Sequence, residues 1–158
     1  MLRKIGLLSC FVLLALVLSG CCRPGGEKPD ANVLLEGNIV VSQDANPDVN
    51  GRPSPITIRI YQLRSAERFK NADFSALSDN DDAVLEDDLL FKEEMDAHPG
   101  TSIPFKRELQ KGTRSLGLMA AFRDFRNATW HTSIDLPAAD LFPVMIEIGE
   151  SSVLIREP

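Results

Sequence analysis

In the run ITIRIYQL, residues 56–63, Ile56, Ile58 and Ile60 take every second position, with Thr57, Arg59 and Tyr61 between them. Successive side chains of an extended chain point to opposite sides, so a period of two describes a strand with one face in a core. The pattern returns after the turn signal Pro99-Gly100, in TSIPFKREL, SLGLMAAFRDF, TWHTSIDL and FPVMIEIGESSVLIRE. Leu116, Leu118, Ala120 and Phe122 share one face, as do Val144, Ile146 and Ile148. The GESS at 149–152 reads as a hairpin turn before Val153 and Ile155. VLLEGNIVV, 33–41, is a further strand, in which Gly37 suggests a bulge. Seven or eight strands with one helical interruption predict a mainly β chain, a β-sandwich.

The interruption is RSAERFKNADFSALSDNDDAVLEDDLLFKEEM, rich in helix formers and without Gly or Pro. Phe69, Asp73 and Leu77 do not form one apolar stripe, so short broken helices are expected over about 64–95. Asp73 is placed to cap a helix starting at Phe74, Ala72 and Leu77 form a weak hydrophobic staple, and Leu85, Leu89 and Leu90 pack the insertion on the sheet.

Between the first two strands lies SQDANPDVNGRPSP, residues 42–55: fourteen residues, three of them proline, with only Ala45 and Val49 apolar. Strand connections usually take about two to five residues, and a loop of about twelve or more is commonly functional or disordered. The prolines restrict the backbone and reduce the entropy lost on docking, and polar groups at a sandwich end suit a binding loop. Asn46, Asp48, Asn50 and Gly51 have the spacing of a calcium loop. The twelfth position is Thr57 instead of a bidentate Glu, and the first is Asn46 instead of a carboxylate, so no metal site is expected.

The N-terminus sets the compartment. Arg3 and Lys4 precede an apolar run from Ile5 to Leu18, fourteen residues, the length of a secretory signal and short of the roughly 20 needed to span a bilayer. The following LSGC, Leu18 to Cys21, resembles the bacterial lipobox, which implies cleavage after Gly20 and acylation of Cys21. Three acyl chains would anchor the protein essentially permanently. Cys10 leaves with the signal and Cys21 carries lipid, so Cys22 has no intrachain partner. In lipoproteins of this kind an Asp after the acylated cysteine retains the protein at the inner membrane; Cys22 in that place points to the outer membrane. The expected organisation is a signal peptide at 1–20, a lipidated flexible tether at 21–32 and one domain at 33–158. The Pro/Gly-rich stretch 22–32 can reach about 35 Å.

The chain has 17 Lys+Arg against 23 Asp+Glu. Loss of Arg3 and Lys4 leaves 15 against 23, a net charge of −8. Such a surface repels nucleic acid and argues against adsorption on anionic lipid, leaving the acyl chains as the membrane contact. The two histidines, His98 in a turn and His131 beside Trp130 in a strand, stand in no catalytic motif, and no G-x-S-x-G occurs. No catalytic residues, metal or cofactor are expected beyond the covalent lipid on Cys21. The acidic run SDNDDAVLEDD reads as a solvated helix face with its caps.

Tyr61, Gln62 and Leu63 closing the second strand, then Phe69, Ala72, Asp73, Phe74 and Leu77, then Leu85, Asp88 and Leu89, and finally Pro99-Gly100 resemble the TssJ family of type VI secretion lipoproteins. The similarity runs from the lipobox through most of the chain, and its specificity lies in the order and spacing of short motifs. It implies a transthyretin-like β-sandwich with extra helices, lipid-anchored in the inner leaflet of the outer membrane. It further implies binding to the periplasmic domain of the inner-membrane protein TssM, in one complex with TssL, through the loop between the first two strands. On this chain that loop is 42–55, with Asp44, Asn46, Asp48, Asn50 and Arg52 as candidate contacts. Tyr61 and Phe74 are expected to pack the insertion on the sheet. Two other readings compete: a lipid-anchored carrier, which requires an apolar pocket with convergent polar groups, and a hydrolase built on His131 with a nearby acid.

Overall fold

The computed structural model describes residues 33–137 and 139–158; the signal, Cys21 and the tether lie outside the described residues. Eight strands form two four-stranded sheets: β1 (Leu34–Val41), β2 (Ile56–Leu63), β3 (Leu89–Ala97), β4 (Ser102–Glu108), β5 (Ser115–Ala120), β6 (His131–Asp135), β7 (Leu141–Ile148) and β8 (Val153–Arg156). One sheet has the order β4-β1-β7-β8, the other β3-β2-β5-β6. Neighbours are antiparallel except β1 and β7, which run parallel. The fold is the β-sandwich with short helices that the alternating runs predicted.

Ile39, Ile58, Leu116, Leu118, Ile146 and Ile148 fill the space between the sheets, all within 1 % of full burial. The hairpin at 149–152 forms as expected, with Gly149 N donating to Ser152 O at 2.7 Å. Tyr61, Leu63 and Met119 point to the other side of their sheet. There they meet Phe69, Leu77 and Leu85 of the insertion in a second, smaller core. This explains why every residue of β5 is buried: the sandwich covers one face and the helices cover the other.

The insertion contains α1 (Glu67–Lys70), α2 (Phe74–Leu85) and a single 3-10 turn, Glu86–Asp88. Asp73 occupies the N-cap position of α2, where its carbonyl receives Leu77 N at 3.0 Å while its side chain makes no capping bond. Asn80, with non-helical angles, kinks α2.

Two expectations are corrected here. Residues 89–95 are not helical, because LLFKEEMDA forms β3 and the insertion ends at Asp88. Helix-forming composition loses to the ladder with β2, and the charges of this edge strand find partners across it. Arg59 pairs with Glu94, Arg107 with Glu93, and Thr57 Oγ1 donates to Asp96. There is also no bulge at Gly37, since β1 keeps unbroken register with both β4 and β7. The glycine serves close approach instead: an added Cβ would lie 1.7 Å from the Val144 carbonyl oxygen.

The acidic run departs from a solvated face at one residue. Asp81 is 4 % exposed and joins three elements. It receives Lys92 Nζ at 2.5 Å, the Tyr61 hydroxyl at 3.1 Å and lies 3.5 Å from the Arg59 guanidinium. Burial alone would raise its pKa, but Lys92, Tyr61 and Arg59 together hold the carboxyl below the usual carboxylate range. The folded state therefore binds this proton less readily than the unfolded chain does. The resulting stabilisation is present above the ordinary carboxylate pKa and is lost as pH falls through the folded value. Asp81→Ala leaves Lys92 with Asp82 and Arg59 with Glu94, so we expect a loss of about 2–3 kcal/mol in denaturant unfolding, below the cost of a fully stranded buried pair. The same variant should show a shallower loss of stability in acid.

Candidate protein-docking site

The loop 42–55 leaves the sandwich between β1 and β2, at the end where β7 turns into β8 and opposite the end where the chain enters β1. It is anchored at its base and open at its tip. Ser42 N donates to Ile148 O at 2.8 Å, Asn46 N to Glu150 O at 3.0 Å and Ser54 N to Ala45 O at 3.1 Å, closing the lobe at its neck. Ala45 is fully buried there.

The five candidate side chains separate into three roles. Asn46 faces inward, 3 % exposed, with φ 51°, a left-handed conformation that asparagine tolerates better than most residues. Its amide nitrogen donates to Pro55 O at 2.8 Å and its amide oxygen accepts Arg123 N at 2.9 Å, so both polar atoms are used within the protein. Asn46, expected as an exposed contact, is thus turned inward and ties the neck of the loop to Pro55 and Arg123. Asp48 builds the tip. Its carboxylate accepts Asn50 N at 2.8 Å and Arg52 N at 3.0 Å and pairs with the Arg52 guanidinium at 3.2 Å. The backbone N–H groups of Arg52 and Asn50 hold the Asp48 carboxyl below its ordinary pKa. Gly51, at φ 75°, closes the turn back to Asp48 O at 2.8 Å. Asp44, Asn50 and Arg52 face solvent, Asp44 accepting the Ser42 hydroxyl.

Sequence reasoning left Val49 out of the exposed candidates. It is wholly exposed at the tip, the signal for it being a large apolar residue in a polar loop; of the loop's two apolar residues, Ala45 is the buried one. Reasoning also missed a cleft of about 230 Å³ at the base of the lobe, between Pro47, Phe122, Asp124, Asn127 and Glu150. Three separate loops supply its walls, so no local pattern announces it. The calcium-like spacing brings no oxygens together: Asn46 Oδ1 and the Asp48 carboxylate are engaged as above. Among the described residues no group of three or more His, Cys, Asp or Glu is placed to hold a metal ion.

His131 packs among rings. It stacks on Trp130 at 3.9 Å, meets Phe69 edge-on at 5.6 Å, and its Nε2 is 3.4 Å from Lys70 O. Phe74 stacks on Phe125 at 4.2 Å in the same aromatic group, and Tyr61 is fully buried beneath it, the packing roles expected of both. Burial lowers the His131 pKa, and the Lys70 carbonyl offsets this only in part. The folded state thus favours the neutral ring, so its contribution is present above the ordinary value near 6.5 and is lost as pH falls below it. The protein should melt lower at about pH 5.5 than at about pH 7.5, and His131→Gln should flatten that difference. Equal slopes in parent and variant would assign the effect elsewhere.

The family model for type VI secretion lipoproteins (VasD, EvfM, TssJ) matches residues 34–151. The chain belongs to this family. The TssJ1 lipoprotein of the Pseudomonas aeruginosa type VI system is similar over 80 % of this chain and 97 % of its own, with 30 % identity and a TM-score of 0.77. A chain from a structure described as a type VI membrane complex is 25 % identical over 79 % of this chain and 98 % of that one, with a TM-score of 0.69. A chain from a structure described as the TssM C-terminal domain from EAEC shares the fold, at 23 % identity and TM-score 0.65 over 79 % of this chain and 98 % of that one. No curated protein matches by sequence. The chain is thus a TssJ-family lipoprotein, a structural component of type VI secretion. Among the described residues no helix is long and apolar enough to cross a membrane.

Proposed function

We propose that this TssJ-family lipoprotein is acylated at Cys21 and held on the periplasmic face of the outer membrane. It binds the periplasmic domain of a TssM-like inner-membrane protein through the loop 42–55, in one complex with a TssL-like protein. The observation that carries this reading is a pinned lobe with an exposed tip, at the end of the sandwich away from the tether. The eight residues of β1 separate the two ends by roughly 27 Å at about 3.4 Å per residue. An anchor at one end and a docking loop at the other give a tie between membrane and partner that needs no reaction. The occurrence of this fold in structures described as a type VI membrane complex and as a TssM C-terminal domain supports the same partner.

Within the loop, Asp44, Val49, Asn50 and Arg52 make the contacts, while Asn46 and Asp48 hold their shape. Most interface energy comes from a few centrally placed residues, and an exposed apolar side chain ringed by polar ones fits that description. The test is binding of the full-length lipoprotein to the purified periplasmic domain of its cognate TssM, with the loop tip intact or replaced.

A further inference from the structure

At the other end of the sandwich, beside the entry of the chain at Val33, lies an open cleft of about 420 Å³ whose polar lining includes Arg64, Lys70, Arg114, Glu67 and Asp135. Register explains how the two arginines meet. Leu63 and Ser115 are the last partners of β2 and β5, so Arg64 and Arg114 are the next residues outward, with Arg114 N donating to Leu63 O at 2.8 Å. Like charges opposite one another on neighbouring strands are unfavourable. Arg64 Nε donates to the Asp87 carbonyl, at 3.3 Å, and the three cations of the lining outnumber its two acids, Glu67 and Asp135. Of the two acids in the lining, Asp135 accepts the Ser115 hydroxyl at 2.7 Å and Glu67 lies 3.9 Å from Lys70. Two guanidinium groups with open donors, plus an ammonium, suit a phosphate.

We propose that this cleft receives the phosphate of an anionic phospholipid headgroup, one with no ammonium beside the phosphate to compete with the arginines, and seats the domain against the bilayer that its anchor enters. The inference rests on the reading of Cys21 as the acylated residue. Residues 22–32 then join the anchor to the start of β1, so this end of the fold has a shorter path to the headgroups than the loop 42–55, and contact at the cleft is what would fix that orientation. The net charge of −8 disfavours adsorption of the surface as a whole on anionic lipid, but at physiological salt charges more than about 8 Å away are largely screened, so at this one cleft the local cations outweigh it. The seat would hold the docking loop pointing away from the membrane.

The test uses the full-length lipoprotein in vesicles of phosphatidylcholine alone or mixed with phosphatidylglycerol, read by flotation and by amide hydrogen exchange. Flotation in both lipids with slower exchange at 64–70 and 112–116 only in the anionic vesicles is the expected result, by about fivefold for each arginine engaged. The slowing should vanish in Arg64→Gln/Arg114→Gln and, for the parent, in high salt, with exchange in β1 and β7 unchanged as the control for folding. Equal exchange in both lipids would overturn the proposal and leave the anchor standing. The same protection from inorganic phosphate in detergent would overturn the lipid as its source. Failure to float in either lipid would remove the anchor, and the proposal with it.

Discussion

Gly37→Ala is expected to lower stability by about 3 kcal/mol or more, seen as a melting temperature about 10 °C lower. Gly37 lies in β1, in the middle of a sheet, between Phe105 of β4 and Val144 of β7. A methyl group there would sit 1.7 Å from a backbone oxygen and 3.1 Å from Val144 Cγ1. A side chain could rotate aside, but a carbonyl fixed in a parallel ladder cannot, so β1 and β7 must separate. Those two strands hold Leu35, Ile39, Val144 and Ile146 in the core, and the loss is therefore larger than that of an ordinary overpacked site. Urea unfolding of parent and variant measures it directly. A variant within about 0.5 kcal/mol of the parent would mean that the strands are not this close.

Replacing the loop tip, residues 47–53, with a Gly/Ser linker should weaken binding to the periplasmic domain of TssM about 100-fold or more, some 2.7 kcal/mol, with an unchanged melting temperature. Stability is spared because Ala45, Asn46 and Ser54, which close the neck, are kept. Val49→Ala alone should cost about tenfold, because its whole side chain is free to enter a partner. Asn46→Ala should behave differently, losing stability and binding together, since its amide bridges the loop to Arg123 and Pro55. Equal binding by the tip replacement and the parent would move the interface off the loop. Titration calorimetry on the four proteins separates these outcomes.

Most of the sandwich is legible in the chain because alternation is a local signal. Ile56, Ile58 and Ile60, then Leu116 and Leu118, then Val144 and Ile146 name their own face without reference to one another. The broken helices and the start of α2 at Phe74 are legible for the same reason, as turn and cap positions depend on a few neighbours. β3 is not, since Leu, Lys, Glu and Met suit a helix and only β2 beside them makes the run extended. The position of the long loop between β1 and β2 follows from its length and composition, but its internal division does not. Asn46 and Asn50 look alike in sequence, and one is buried because Arg123 and Pro55 reach it from distant parts of the chain.

The sequence by itself determined the β-sandwich class, the helical insertion, the place of the long loop between its first two strands, and membership of a lipoprotein family. All of these rest on residues close together in the chain, whose period and order carry the information. Tertiary structure alone decided which loop residues face outward and that Asp81 is buried among Lys92, Tyr61 and Arg59. It alone decided that Arg64 and Arg114 share one cleft, at the end where the chain enters β1. Those residues are tens of positions apart, and burial and charge pairing between such groups exist only once the two sheets and the insertion have closed on one another.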